Sequence, residues 1–174
     1  LAALVGIKQK NSSLVNNAKR FVKDWIKYSM YPDGTVGEFE RWRSDFPDMG
    51  WAYVTDVAGT AITIADAIAR TGDKSLFEYK TRIGKYTTAS PNKDKSLYSI
   101  VKVMADITAK KVEWYGTNNP SHVGNKDYLI DGFIRKGAFS RSSEWAGLHD
   151  VWLTMSNLYY KDSNIKAMYM RNGS

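Results

Sequence analysis

Several residue types and motifs that would point to a familiar chemistry are scarce or missing in this sequence. Among its 174 residues there is no cysteine, which excludes a disulfide scaffold, a thiolate metal site and a cysteine nucleophile. The only two histidines, His122 and His149, argue against a histidine-rich catalytic zinc site. No apolar run approaches the length of about 18 residues that a membrane span requires, so we predict none. P-loop, dinucleotide-binding and Gly-x-Ser-x-Gly motifs are also absent from the sequence.

Positive charge and aromatic side chains are what the sequence has in excess. Lysine and arginine number 25 against 18 aspartates and glutamates, which gives a formal net charge of +7. Such a charge suits an anionic partner: a nucleic acid, an acidic membrane face or an acidic polysaccharide. Aromatic residues make up 13% of the chain, with six Trp and eleven Tyr. Aromatic and basic residues together suit the binding of sugars or of single-stranded nucleic acid.

Four segments have the apolar periodicity of amphipathic helices: 12–30, 51–71, 94–111 and 143–160. The predicted core-facing stripe of the first is Leu14, Val15, Ala18, Phe21, Val22, Trp25 and Ile26. That of the fourth is Trp145, Leu148, Val151, Trp152, Met155, Leu158 and Tyr159. Evidence for strands is thin and no linker divides the chain. We therefore predict an all-α protein with long loops, in which residues 1–174 form a single helical domain.

The ends of these helices carry recognisable signals. Asn11 or Ser12 is placed to cap the first helix, and the turn residues at 31–34 stop it. Gly72 is a natural terminator of the second helix. Asp94 is placed to interact favourably with the dipole at the start of the third.

A weak internal similarity suggests how the helices are arranged. Asp33-Gly34 is followed by Arg41 and then by Trp51, which begins a helix; Asp131-Gly132 is followed by Arg141 and Trp145 in the same order. Repeated helix hairpins of this kind suit an α/α solenoid or toroid. Four strong helices would make an incomplete barrel of antiparallel helix hairpins rather than a closed ring.

The densest functional signal lies between residues 33 and 72. An Asp-Gly turn leads into Glu38-Phe39-Glu40-Arg41, a Glu-x-x-Arg element, and Tyr53 then opens a helix with an Ile-Ala-rich stripe that ends near Gly72. This ordered set resembles the alginate lyase-like family of polysaccharide lyases, which have an α/α-toroid fold. The resemblance covers about residues 10–110.

The resemblance implies cleavage of a uronic acid polysaccharide by β-elimination. A base removes the proton on C5, next to the carboxylate, and an acid protonates the departing O4. Arg41 would neutralise the carboxylate with its planar fork, which stabilises the charge that builds up in the transition state. Tyr53 would serve as base and then as acid, because neighbouring positive charge can lower a tyrosine pKa from its usual value of about 10.

Further residues of the same region are candidates for substrate binding. The loop from Arg41 to Tyr53 is longer than in the family, so Arg43 is a second candidate for the arginine. Glu38 is expected to orient Arg41. Tryptophans in or beside loops suit stacking on sugar rings. The complete set of predicted substrate-binding residues is Glu38, Arg43, Trp51, Trp42, Trp114, His122 and Trp145.

The sequence also departs from the family pattern. The family's Asn and His lie upstream of the arginine and the tyrosine, whereas no histidine precedes Tyr53 here. We therefore expect the chain to match the C-terminal half of the toroid, with an N-terminal half or a second chain completing the cleft. The resemblance implies a periplasmic or secreted protein that acts on an acidic polysaccharide, with no cofactor and no nucleic-acid partner.

Other interpretations of the same residues remain open. Tyr53 could pack at the start of a helix, and Arg41 could brace the loop through Asp45 or Glu38. Glu38 and Glu40 could be a glycosidase pair, although alternate positions suit that arrangement poorly. The whole chain could be a non-catalytic carbohydrate-binding helical domain. A nucleic-acid-binding module rests only on the charge and the aromatic content, and no helix-turn-helix pattern supports it.

Overall fold

The computed structural model describes residues 1–40, 49–84, 94–108 and 151–166. Their β interactions are the isolated bridges of Met30 with Val36 and of Thr81 with Lys95. For the described part of the chain, the predicted all-α class is therefore confirmed. The elements are α1 (Ala2–Lys8), α2 (Ser12–Ser29), the 3-10 helix η1 (Gly37–Glu40), α3 (Met49–Ala69), α4 (Ser75–Glu78), α5 (Leu97–Thr108) and α6 (Val151–Tyr159).

Helix α3 lies at the centre of the fold. It contacts η1 and every other helix named above. Its buried stripe includes Ala58, Ala61, Ile62, Ala65 and Ile68. The alanines let neighbouring helices approach closely, because they add little volume beyond the backbone.

Contrary to the expectation that no apolar run approaches such a length, α3 includes a segment, Ala52–Ala69, that is long and apolar enough to cross a membrane by length and composition alone. Half of this window is buried inside the structure. The central helix of a protein core passes the same test, so a single such segment is weak evidence for a membrane span.

Helix α2 follows its predicted bounds. The Asn11 side chain accepts a hydrogen bond from the Leu14 N–H at 3.2 Å, which caps the first turn. Ala18, Val22 and Ile26 are buried as predicted. Phe21, in contrast, is exposed, because the core meets a narrower arc of the helix than the seven-residue stripe assumed.

Helix α5 begins at Leu97, three residues after the predicted start at Asp94. The hydroxyl of Ser96 accepts a hydrogen bond from the Ser99 N–H at 3.2 Å and so caps the helix. Asp94 lies before this cap and instead accepts a hydrogen bond from the Arg82 guanidinium at 2.6 Å. Its predicted place in the first turn of the helix was therefore wrong.

Three short elements, α1, η1 and α4, were not predicted. Each is at most 7 residues long, which is too short for the apolar period to repeat. The fourth predicted helix is observed as α6, and its residues 143–150 lie outside the described residues. Leu158, assigned to its buried stripe, is exposed. The second copy of the internal similarity, Asp131 to Trp145, lies wholly outside the described residues.

Candidate active site

The segment that leads to the candidate site begins with a tight turn after α2. The Asp33 carboxylate accepts hydrogen bonds from the Thr35 N–H at 2.9 Å and from its hydroxyl at 2.7 Å. Gly34 has φ of +89°, in the left-handed region that favours glycine. The Gly34 N–H donates to the Tyr31 carbonyl at 2.9 Å. These bonds make the turn a well-defined start for the chain that follows.

This turn is also packed tightly against α5. A Cβ built on Gly34 would collide with the backbone carbonyl of Ser99. Thr35 and Val36 next to it are fully buried. The Asp-Gly pair therefore has a packing role as well as a conformational one, since only glycine allows this approach.

Helix η1 carries Glu38 and packs against α3, which carries Tyr53. Phe39 and Val54 belong to the same buried core cluster. Their neighbours in the chain lie nearer the surface: Glu38 is half-buried and Tyr53 is 40% exposed. The core contact thus holds two of the predicted site residues on adjoining elements and leaves the tyrosine partly exposed at the surface.

The remaining predicted site residues are only partly covered. Trp51 lies in the first turn of α3, and its side chain lies outside the described residues. The catalytic candidate Arg41 and five predicted substrate-binding residues also lie outside them: Trp42, Arg43, Trp114, His122 and Trp145. Their proximity to Tyr53 stays a prediction.

The buried Lys95, which precedes α5, bonds both to the end of α2 and to the segment that contains Thr81. Lys95 is fully buried, and its ammonium donates a hydrogen bond to the Lys27 carbonyl in the last turn of α2. That carbonyl is among the four that a helix leaves without an internal partner. The backbone of Lys95 also pairs with Thr81, at 2.9 Å and 3.1 Å. Burial lowers the pKa of Lys95. The sequence shows the lysine before α5, but nothing in the pattern indicates that it is buried.

A second polar cluster lies near the C-terminal end of α3, away from the end that carries Tyr53. Asp66 is 4% exposed and accepts hydrogen bonds from the Tyr159 hydroxyl at 2.8 Å and the Arg70 guanidinium at 2.7 Å. The Tyr159 ring stacks on Phe77, with 3.8 Å between the ring centroids. Spacing of four residues on a helix identifies the Asp66–Arg70 pair from sequence. The link to Tyr159 spans 93 residues and has no such signal.

The start of the last helical turn, 163–166, is tied to α5 by Asp162. Its carboxylate accepts hydrogen bonds from the Tyr98 hydroxyl at 2.8 Å and from the Asn164 N–H at 2.8 Å. Burial, the hydrogen bond to Asp162 and the negative charges of Asp162 and Asp106 raise the pKa of Tyr98 to about 12. Every one of these groups is engaged with another part of the protein, so the cluster reads as a structural brace.

This brace predicts a specific loss of stability at alkaline pH. Because the folded state raises the pKa of Tyr98, the unfolded chain loses that proton first as the pH rises. The contribution of Tyr98 to the free energy of unfolding is therefore complete below about pH 10 and falls between about pH 10 and 12. In denaturant titrations, Tyr98→Phe should be less stable than the wild type by a constant amount from neutral pH to mildly alkaline pH. That difference should shrink at higher pH; a difference that stays constant would contradict the prediction.

The described residues contain no group of three or more His, Asp or Glu side chains that could hold a metal ion. For these ranges, the predicted site residues offer the phenol of Tyr53 and the carboxylate of Glu38. These groups can transfer protons and stabilise charge.

Comparisons with protein-family models, with curated proteins and with solved structures gave no match for this chain.

Proposed function

We propose that this chain is an α/α-toroid polysaccharide lyase domain, similar to the alginate lyase-like family, that cleaves a uronic acid polysaccharide by β-elimination. The observation that supports it most is the packing of η1 on α3. Through this contact, the Asp-Gly turn, Glu38 and Tyr53 lie on consecutive, adjoining elements. The lyase family that the sequence resembles has these features in the same order along the chain.

In the proposed reaction, the Tyr53 oxygen takes the proton from C5 of the uronate. The electron pair left at C5 is delocalised into the carboxylate, and Arg41 neutralises the charge that develops there. The C4–O4 bond then breaks, and a double bond forms between C4 and C5. Tyr53 returns the proton to O4 of the departing chain, so the enzyme ends the cycle in its starting state.

The remaining features suit a long anionic substrate. The net charge of +7 attracts a polyanion from solution and raises its local concentration. The exposed position of Tyr53 at the start of α3 suits a substrate that lies across the protein surface. Glu38, which is half-buried on the adjoining η1, is the candidate for orienting the arginine.

The direct test uses the ultraviolet absorbance of the product, whose new double bond is conjugated with the carboxylate. The protein should be incubated with alginate, glucuronan and polygalacturonate, and with a carboxyl-reduced alginate as the matched control. We expect absorbance to rise with at least one uronan and not with the reduced polymer, because elimination requires the carboxylate next to C5. No rise with any uronan, from protein shown to be folded by circular dichroism, would contradict cleavage by this chain alone, because a half-toroid needs an N-terminal half or a second chain to complete its cleft. Binding without a rise would indicate a carbohydrate-binding domain instead.

A further inference from the structure

Two aromatic side chains on α2 remain exposed although the helix packs in the core. Phe21 is 61% exposed and Tyr28 is 56% exposed. They are seven residues apart, which is close to two turns, so they lie on the same face about 10.5 Å apart along the axis. Two or three linked pyranose rings span a similar length.

A row of cations lies on the neighbouring flank of α2, about 100° around the helix from these rings. Arg20 and Lys27 directly precede Phe21 and Tyr28 and have the same seven-residue spacing. Arg20 is exposed and its guanidinium donates a hydrogen bond to the Asn17 side chain at 3.1 Å, whereas Lys27 is half-buried. Two other cations of α2 face neighbouring segments: Lys19 pairs with Asp73 at 2.7 Å, and Lys23 lies over the Tyr79 ring. Asp24 is the carboxylate within this stretch, so Arg20 and Lys27 leave the face with an excess of positive charge.

We propose that this face of α2 is a second polysaccharide-binding surface, separate from the Tyr53 region. Phe21 and Tyr28 stack on sugar rings, and Arg20 and Lys27 contact the carboxylates of the chain. The choice of a uronic acid polymer as the ligand rests on the proposed function. We call these four residues the α2 aromatic surface.

The pattern fits a sugar polymer better than other large partners. The apolar stripe of α2, with Val22 and Ile26, is buried in the core, so the helix has no broad apolar face to insert into a membrane. The exposed rings are separated by two turns with the charged Asp24 between them, whereas protein interfaces have a continuous apolar centre. Isolated rings with flanking cations match the alternating ring faces and carboxylates of a uronan.

The test is a binding measurement that does not depend on turnover. Affinity electrophoresis in gels containing alginate should be run in the Tyr53→Phe background, so that the polymer is not degraded. We expect the double variant Phe21→Ala/Tyr28→Ala to weaken binding about tenfold, in line with the loss of two stacked rings. Leu158→Ala removes an equally exposed apolar side chain from α6 and is the matched control, expected to bind as its parent does.

A second variant and a second polymer make the result decisive. Phe21→Tyr/Tyr28→Trp keeps both rings and should retain alginate binding, which separates stacking from a general effect on α2. Equal binding by the double alanine variant and its parent would overturn the inference. So would tighter binding to poly(dT) than to alginate that the same two alanines abolish, because the face would then belong to a nucleic-acid site. Neither result depends on whether the absorbance assay detects elimination, so the two proposals can fail separately.

Discussion

Tyr53→Phe should lower the rate of uronan cleavage at least a hundredfold while the protein stays folded. The change removes a single oxygen, and general acid–base groups contribute a factor of about 10² to 10⁴ to the rate. The side chain is 40% exposed at the start of α3, and the ring that remains can keep its packing. The measurement is the initial rate of ultraviolet absorbance increase on the best uronan, at saturating polymer, with thermal unfolding recorded for both proteins.

The matched control for this variant is Tyr79→Phe. It removes the same atom from a half-buried tyrosine that follows α4, next to Lys23. We expect its rate to equal that of the wild type. If Tyr53→Phe also retained the full rate, Tyr53 would be a packing residue at the start of α3, and the proposed base and acid would have to be another group.

The largest expected effect on stability is at Gly34. Gly34→Ala places a Cβ against the Ser99 carbonyl and forces φ of +89° on a residue that disfavours it. The left-handed backbone costs about 1–2 kcal/mol and overpacking about 1–3 kcal/mol, so we expect the free energy of unfolding to fall by about 3 kcal/mol. Chemical denaturation, followed by circular dichroism, measures it.

Gly72→Ala separates the cost of the left-handed backbone from the cost of the steric clash. Gly72 has φ of +99° after α3, but no atom lies within 4 Å of a Cβ built there. This variant should pay only for the backbone conformation and lose about 1 kcal/mol. If both variants lost the same amount of stability, the close approach of Gly34 to α5 would not be a significant constraint.

Local signals accounted for the long helices well. The apolar period located α2 and α3 within two residues at each end, and Asn11 and Gly72 act at the helix ends as predicted. The same reasoning put the start of α5 at Asp94, because an acidic residue there suits the helix dipole. Ser96 caps the helix instead, because its hydroxyl reaches the Ser99 N–H while Asp94 is engaged by Arg82.

In the region of the candidate site, too, some residues could be identified from the sequence and others only from the structure. Tyr53 and Glu38 could be singled out because the resemblance depends on residue order, which is a property of the sequence. The buried Lys95 could not, because a lysine before a helix is ordinarily a solvated residue, and only its position beneath the end of α2 makes it a cap for Lys27.

The sequence by itself therefore determined the helical class, the bounds of α2 and α3 to within two residues and the order of the candidate catalytic residues. These depend on periodicity, turn chemistry and neighbours in the chain, which act over one or two helical turns. Only the tertiary structure decided that Phe21 stays exposed, that Gly34 meets Ser99 and that Tyr159 bonds Asp66 across 93 residues. Such contacts depend on which surfaces meet when the helices pack, and local sequence patterns carry no record of that choice.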